Sequence, residues 1–240
     1  MRVAVLSDIH SNLVALDAVL ASVPSVDEVW HLGDVVGYGP HPDEVVARLR
    51  EIGAVGVRGN HDAAALGGRE IESFNVDARR AAEWTRATIS DETRAWLAAQ
   101  PETMVREGFM LVHGSPRDPI WEYVTSTPVA RASMAALEAP SGLNGHTHLP
   151  VAYIEEDGRL ETMSPGSGSK LTIDGRRMLL NPGSVGQPRD GIPTAGWMLL
   201  DTDAGVATWR RTAYDISEVQ AAMSRLSLPE RLVARLAYGL

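Results

Sequence analysis

The sequence contains no cysteine, and its 22 basic residues include only one lysine, Lys170. Without thiols the chain forms no disulfide bond and no thiolate metal site, so any metal ion must be held by oxygen and imidazole ligands. Acidic side chains outnumber basic ones, and the formal net charge is −9. Nonspecific nucleic-acid binding depends on Lys and Arg neutralising phosphates. We therefore expect no stable nucleic-acid partner.

Long apolar runs are also missing. The first run, Val3 to Leu6, ends just before Ser7-Asp8. It is too short for the apolar region of a secretory signal or for a membrane span, which predicts no membrane contact and a cytoplasmic location. The length of 240 residues, with 44% apolar and 22% charged residues, is typical of one globular domain with a sizeable core. We therefore expect residues 1–240 to form a single domain.

The most informative stretch surrounds Asp34. The apolar run from Val29 to Leu32 leads into a glycine-rich turn that ends at Pro40. This pattern is typical of a strand that presents a side chain at its carboxyl end, where open α/β sheets bind ligands. On its own, Gly33-Asp34 is more typical of an ordinary Asx-turn.

Four further stretches place Asp, Asn or His beside a glycine or after a strand-like segment. They are Ser7-Asp8-Ile9-His10, Gly59-Asn60-His61-Asp62, Val112-His113-Gly114 and Gly145-His146-Thr147-His148. These stretches contain five of the seven histidines. Imidazole is the commonest metal ligand and the usual acid or base near neutrality. In an extended segment Asp8 and His10 would face the same side.

Taken in order, the five stretches resemble the motif blocks of the calcineurin-like metallophosphoesterase superfamily: D-x-H, G-D-x-x-G, G-N-H-D, V-H-G and G-H-T-H. The segment Asn181 to Asp190 is similar to the C-terminal signature of the small bacterial phosphodiesterase branch. With residues 37–40 and 113–118, the resemblance covers most of the chain. It implies an α/β fold, a four-layer α/β/β/α sandwich of two facing mixed sheets with outer helices. It also places the helical and loop segment 63–130 beside the active site.

The resemblance further implies two divalent metal ions that share one carboxylate. Carried over residue by residue, one ion would be held by Asp8, His10, Asp34 and His148, and the other by Asp34, Asn60, His113 and His146. Mixed oxygen and nitrogen ligands suit Mn, Fe, Zn, Co or Ni better than Ca or Cu(I). Manganese is our first choice.

Two such ions, about 3.5–4 Å apart, can generate a bridging hydroxide and clamp both sides of an in-line displacement at phosphorus. By the resemblance, His61 lies beside the ligands without being one. It could protonate the leaving oxygen or stabilise charge on the phosphate, with Asp62 orienting it. The alternative for His61 is a packing role. The favoured interpretation of His31 is a core residue or one packed behind the ligands, and that of His41 is a solvent-facing cap before Pro42.

The rest of the substrate must be bound by groups around the mouth of the site. The candidates are Arg189, which could bind a phosphate through two guanidinium nitrogens, and the aromatic residues Tyr38, Trp121 and Tyr123. The alternative for the segment around Arg189 is a turn that joins the sheets. The phosphoprotein phosphatase branch continues its G-D block with Asp-Arg-Gly, whereas this chain has Gly37-Tyr38-Gly39. We therefore do not expect protein phosphatase activity of that type.

Beyond His148 the pattern becomes rich in β-strands. Turns at Asp157-Gly158 and Asp174-Gly175 predict two hairpins, and residues 217–240 predict a terminal helix.

Together these features predict a metal-dependent phosphoric ester hydrolase. The expected substrates are small phosphorylated molecules, either phosphodiesters or nucleotide-type phosphoanhydrides. Two alternatives stay open: a phosphomonoesterase, and a catalytically silent scaffold with the same fold. A silent scaffold would be free to lose residues such as Asp8 or His113, which argues against it. The sequence predicts no particular oligomeric state.

Overall fold

Strands and helices alternate in the amino-terminal part of the chain, as the turn residues between its apolar runs predict. A computed structural model describes residues 1–240, with every side chain except those of residues 69 and 70. The strands are β1 (Arg2–Leu6), β2 (Glu28–His31), β3 (Val55–Gly56), β4 (Thr103–Arg106), β5 (Phe109–Val112), β6 (Ser141–Leu143), β7 (Pro150–Glu156), β8 (Arg159–Met163), β9 (Lys170–Thr172), β10 (Met178–Pro182), β11 (Ala195–Asp201) and β12 (Val206–Thr212).

The helices lie mostly in the first half and at the carboxyl terminus. They are α1 (Leu13–Ser22), α2 (Pro42–Glu51), α3 (Asn60–Ala65), α4 (Val76–Thr88), α5 (Asp91–Ala99), α6 (Thr127–Ala135), α7 (Ile216–Arg225) and α8 (Glu230–Arg235). Helix α1 begins where the Asn12 side chain accepts a hydrogen bond from the Ala15 N–H (3.0 Å). Helix α2 begins at Pro42. Proline is well suited to this position, because N–H groups of the first turn have no hydrogen-bond acceptor within the helix and none is lost when the N–H is missing. Among the described residues, no helix combines the length and the apolar character that crossing a bilayer requires.

The strands form two six-stranded mixed sheets. The first has the order β3-β2-β1-β11-β12-β9, and the second has the order β4-β5-β6-β10-β7-β8. Strands β1, β2 and β3 are parallel, as are β5, β6 and β10. Because parallel strands end at the same edge, the segments that follow β1, β2 and β3 are neighbours, and so are those that follow β5 and β6.

One apolar core lies between the sheets, and others lie under the helices. Val3 and Trp30 of the first sheet pack in the same cluster as Leu111 and Leu143 of the second. On its other face, β1 turns Ala4 and Leu6 toward the outer helices α1 and α2. On the outer face of the second sheet, Met134 of α6 packs with Tyr153 and Leu179. This alternation of period two produces the predicted four-layer sandwich, which is confirmed.

The carboxyl-terminal helices α7 and α8 pack on α4. Val219, Met223 and Leu232 share a cluster with Ala78, and Tyr38 belongs to the same cluster. The end of the chain is therefore brought to the turn that follows β2.

Two sequence predictions in this half are wrong. The hairpin expected at Asp174-Gly175 is absent, because β9 pairs with β12 in the first sheet and β10 lies in the second. The turn residues are locally suitable, but tertiary pairing decides each strand's partner. The terminal helix breaks after Arg225, where Ser227 adopts a φ of 55° and Pro229 precedes α8. The hairpin at Asp157-Gly158 is confirmed between β7 and β8.

Candidate metal centre

The seven predicted metal ligands all follow the carboxyl ends of strands, at the place where the two sheets meet. Asp8 and His10 follow β1, Asp34 follows β2, Asn60 follows β3, His113 follows β5, and His146 and His148 follow β6. Each of the seven side chains is at most 4% exposed. The two sheets thus bring together residues separated by up to 140 positions in sequence.

These side chains form two groups that share Asp34. One contains Asp8, His10, Asp34 and His148, the other Asp34, His113 and His146, and within each group the ligand atoms lie within 4.8 Å of one another. Oδ2 of Asp34 lies 3.6 Å from Nε2 of His10 and 3.4 Å from Nε2 of His113. A single carboxylate oxygen therefore faces both groups. Oδ1 of Asn60 lies 3.0 Å from Nε2 of His113, which places Asn60 in the second group.

Backbone carbonyls orient the four imidazole rings of the groups. Each ring directs one nitrogen at a carbonyl oxygen and the other toward the centre, which fixes the tautomer. The carbonyl contacts are His10 Nδ1 to Val36 (3.3 Å), His113 Nδ1 to Leu32 (2.8 Å), His148 Nδ1 to Gln187 (2.5 Å) and His146 Nε2 to Trp121 (3.2 Å).

The inward ring nitrogens face each other in pairs. Nε2 of His10 lies 3.1 Å from Nε2 of His148, and Nε2 of His113 lies 3.0 Å from Nδ1 of His146. Because the outer nitrogen of each ring donates to a carbonyl, the inward nitrogens of neutral rings carry lone pairs and cannot hydrogen-bond to each other. Converging lone pairs beside carboxylate oxygens are the arrangement that a cation completes. The donor set therefore fits divalent metal ions.

The ligand loops have an unusual backbone conformation. Asp8, His10, Asp34, His146 and His148 adopt φ angles between 50° and 67°. Non-glycine residues rarely occupy this left-handed region, and such residues cluster at functional sites. The expectation that Asp8 and His10 share a side through an extended segment is wrong, because β1 ends at Leu6. The left-handed turns bring the two side chains together instead.

Burial and the charges of neighbouring groups shift the pKa values of the Asp and His side chains at the site in both directions. Burial raises the pKa of Asp8 to about 7 and lowers the pKa of His61 to about 4. Although burial lowers the pKa of His113, the charge and hydrogen bond of Asp34 raise it to about 9. Burial and the neighbouring His113 lower the pKa of His146 to about 2. A bound cation would favour ionised carboxylates and neutral imidazoles here.

His61 lies beside the two groups and belongs to neither. Its ring centroid is 5.0 Å from that of His10 and 4.2 Å from that of Tyr38. Among the described residues, its buried Nδ1 has no hydrogen-bond partner. Its backbone N–H donates to Oδ1 of Asp34 (2.8 Å). Gly37, with a φ of 94°, packs on the ring, and a Cβ there would lie 2.7 Å from Nδ1 of His61.

The partners of Asp62 differ from the predicted ones. Its Oδ1 accepts from the Val36 N–H (3.0 Å), and its Oδ2 accepts from the Gly59 N–H (2.9 Å). The carboxylate is thus used by the backbone at the start of α3 and by the loop after β2. Asp62 therefore positions the loop that carries His61 and does not orient the imidazole ring.

A cavity of about 350 Å³ opens beside the second group. Asn60, His61 and His146 line it together with the aromatic side chains of Tyr38, Phe74, Trp121 and Tyr123. Tyr123 stacks on His146 with a centroid distance of 3.6 Å, so one of its faces is already occupied. Trp121 lies across from Phe74, with centroids 6.2 Å apart. The sequence analysis did not name Phe74. It placed the whole segment 63–130 beside the active site, and no local pattern distinguished Phe74 within that segment.

The segment Asn181 to Asp190 joins the two sheets, which is one of its two alternative roles. Asn181 Nδ2 donates to the Gly145 carbonyl (2.7 Å), and Ser184 Oγ donates to the Asp8 carbonyl (2.8 Å), so the segment fastens ligand loops of both sheets. Arg189 then extends over Tyr38, with its guanidinium carbon 6.0 Å from the ring centroid.

His31 and His41 lie apart from both ligand groups. The ring of His31 is buried and packs against Trp96, with centroids 5.5 Å apart. His41 precedes α2 at its amino-terminal cap, without a side-chain capping hydrogen bond. His31 is a buried packing residue, as expected, whereas the half-buried His41 has its Nδ1 out of solvent and is not a fully solvent-facing cap.

Comparison with known proteins identifies relatives over the whole chain. A family model for the calcineurin-like phosphoesterase superfamily domain matches residues 1–205. The crystal structure of a metallophosphoesterase from Sphaerobacter thermophilus is similar with a TM-score of 0.92 and 41% identity, covering 100% of this chain and 99% of that one. An uncharacterized protein of Methanocaldococcus jannaschii is 35% identical over 99% of this chain and 98% of its own length.

A third relative matches only part of the chain. The symmetrical bis(5'-nucleosyl)-tetraphosphatase of Pectobacterium carotovorum is 33% identical over 147 residues, which cover 59% of this chain and 52% of the relative. The match therefore spans about half of that enzyme's length.

Proposed function

Because the chain belongs to the calcineurin-like phosphoesterase superfamily and is a hydrolase that acts on phosphoesters, we propose that it uses two metal ions to cleave nucleotide-type phosphodiesters or phosphoanhydrides. The observation that carries the proposal is the Asp34 carboxylate, shared by two buried ligand groups beside a cavity with aromatic walls. The shared oxygen supports a dinuclear centre, and the aromatic walls support a substrate with a planar base.

The ligands Asp8, His10, Asp34, Asn60, His113, His146 and His148 would hold the two ions, with Mn²⁺ preferred over Fe, Zn, Ni or Co. When bound, such ions supply Lewis-acid polarisation of the phosphate and a water nucleophile for in-line attack. The residues of the chain then have separate tasks. The carbonyls behind the imidazoles keep the ligand nitrogens unprotonated and pointing inward. His61, adjacent to the centre, would donate a proton to the leaving oxygen once the negative charge of a bound phosphate raises its pKa from about 4.

The substrate class is inferred from the cavity. Trp121 and Phe74 form walls on which a base can stack, and stacking is worth about 1–3 kcal/mol per base. The tetraphosphatase named above acts, by its name, on a dinucleoside polyphosphate. We propose a small nucleotide of this kind as the physiological partner, in the cytoplasm.

A phosphoester panel with Mn²⁺, Mg²⁺, Ni²⁺, Co²⁺ and Zn²⁺ examines this proposal, with Trp121→Ala as the diagnostic variant. The substitution should raise KM for a nucleotide substrate about 5- to 100-fold, at about 1.4 kcal/mol per tenfold, and leave bis-nitrophenyl phosphate nearly unaffected. The Trp121 carbonyl oxygen that accepts a hydrogen bond from His146 belongs to the backbone, so Trp121→Ala retains this contact. Trp96→Ala is the matched control, because Trp96 packs on His31 away from the cavity.

The alternatives predict different results. Turnover of monoesters alone would identify a phosphomonoesterase. No turnover with any of the five metals would identify a silent scaffold. Equal kinetics of wild type and Trp121→Ala on every nucleotide would mean that the aromatic walls serve packing and do not bind a base.

A further inference from the structure

Two arginines from distant parts of the chain meet at Tyr38. The guanidinium carbon of Arg189, after β10, lies 6.0 Å from the centroid of the Tyr38 ring, and that of Arg235, at the end of α8, lies 5.5 Å from it. Both Nη2 groups donate to Oε1 of Gln187, at 3.2 Å and 2.5 Å. One amide oxygen thus holds two guanidinium groups together.

Among the described residues, neither guanidinium has an Asp or Glu side chain as partner. Within residues 1–68 and 71–240, no Asp or Glu side chain is within ion-pair distance of Arg189 or Arg235, although twelve other basic groups, the amino terminus and three histidines included, have such partners. Nε of Arg235 donates to the Leu240 backbone oxygen (2.5 Å). Nε of Arg189 is buried without a partner among the described residues. The chain has a net charge of −9, yet the shared contact with Gln187 holds two cations next to each other.

The pair lies close to the ligand groups. Tyr38, which both guanidiniums cover, has its ring centroid 4.7 Å from that of His10 and 4.2 Å from that of His61. After burial, the charges of both arginines are among the causes that lower the pKa of His61 to about 4. Burial and Arg189 lower the pKa of Arg235 to about 10, so Arg235 stays charged near neutral pH.

We propose that Arg235 and Arg189 form an anion subsite that binds the phosphate next to the scissile one and so selects polyphosphate chains over simple esters. The inference rests on the proposed function, because it takes the Asp34 centre as the place of the scissile phosphate. A guanidinium presents a planar fork of donors that matches phosphate oxygens, and two forks suit a dianionic group. The Gln187 amide keeps both forks in place while no anion is bound.

Calorimetry on the Mn²⁺-loaded full chain examines the subsite directly. The ligands are imidodiphosphate, a diphosphate whose P–N–P bridge resists hydrolysis, and orthophosphate. Arg235→Gln should raise Kd for imidodiphosphate at least about tenfold, the loss expected for a charge-assisted hydrogen bond, and change Kd for orthophosphate less than about twofold. Arg231→Gln removes the same charge from α8 one turn earlier and should leave both constants unchanged within about twofold.

Two kinds of result would count against the subsite. Equal losses of affinity for imidodiphosphate and orthophosphate would mean that Arg235 contacts the scissile phosphate, or that it acts only through the long-range electrostatic effect of its positive charge. Unchanged binding of imidodiphosphate, or its absence in the wild type, would overturn the inference outright. If Arg235→Gln does not fold, Arg235→Lys replaces it and should lose part of the affinity, because a point charge cannot form the fork. A protein that hydrolyses no nucleotide but shows the Arg235-dependent preference would retain the subsite and lose the proposed function.

Discussion

Replacing His61 by Gln should separate proton donation from metal binding. The imidazole belongs to neither ligand group, and the link from residue 61 to Asp34 is a backbone N–H bond of 2.8 Å, which the substitution keeps. Gln also fills most of the volume between Tyr38 and Phe74, whose ring centroids lie 4.2 Å and 4.7 Å from that of His61. Metal content should therefore stay near the wild-type value. What is lost is one general acid, which is typically worth about 10²- to 10⁴-fold in rate.

The assay compares leaving groups. The full loss in kcat should appear on alkyl and nucleoside esters, whose leaving oxygens need a proton, and should shrink for nitrophenolate, which leaves without one. His41→Gln makes the same substitution at the cap of α2 and serves as the control. Elemental analysis of both variants accompanies the kinetics. An equal loss on every leaving group, or the loss of a metal ion from His61→Gln, would refute the assignment of His61 as the acid.

Two further predictions concern the metal centre and the core. Asp34→Asn should lower the occupancy of both ions, because one Asp34 oxygen faces both groups, whereas His10→Ala should weaken only the first. Elemental analysis after dialysis against Mn²⁺ should reach about two ions per wild-type chain, and a plateau at zero would contradict the dinuclear centre. Leu16→Ala should lower the free energy of unfolding by about 2–5 kcal/mol, because Leu16 is fully buried between α1 and the first sheet. Denaturant titration measures this loss, and a value below about 1 kcal/mol would contradict the packing.

The strand ends were predictable from the sequence, and with them the positions of the predicted ligands. The run Val29 to Leu32 ends at a glycine turn, and parallel pairing with β1 brings Asp34 to the edge that carries Asp8. Local pattern and tertiary structure agree there, because each ligand stretch directly follows the strand that positions it.

Arg235, by contrast, could not have been found by pattern. It is one of the basic residues of a short helix, and only the packing of α7 and α8 on α4 brings it to Tyr38. The role of Asp62 was missed for a related reason. The sequence places it next to His61, but helix geometry turns its carboxylate to the Gly59 N–H at the start of α3. Adjacency in sequence does not establish contact between side chains.

The backbone of the ligand loops has an unfavourable left-handed conformation, which is stabilised by hydrogen bonds between the loops. A residue in a sparsely populated backbone region costs about 1–3 kcal/mol, and Asp8, His10 and Asp34 each adopt a φ near 50°. Their backbones are fixed by hydrogen bonds between loops, from the His10 N–H to the Asp34 carbonyl (2.9 Å) and from the Gly186 N–H to the Asp8 carbonyl (3.0 Å). These bonds join turns at the ends of adjacent strands to the segment that carries Arg189. The sheets therefore position the predicted metal ligands and the proposed anion subsite as one unit, because the segment after β10 fastens the ligand loops and also carries one of the two arginines.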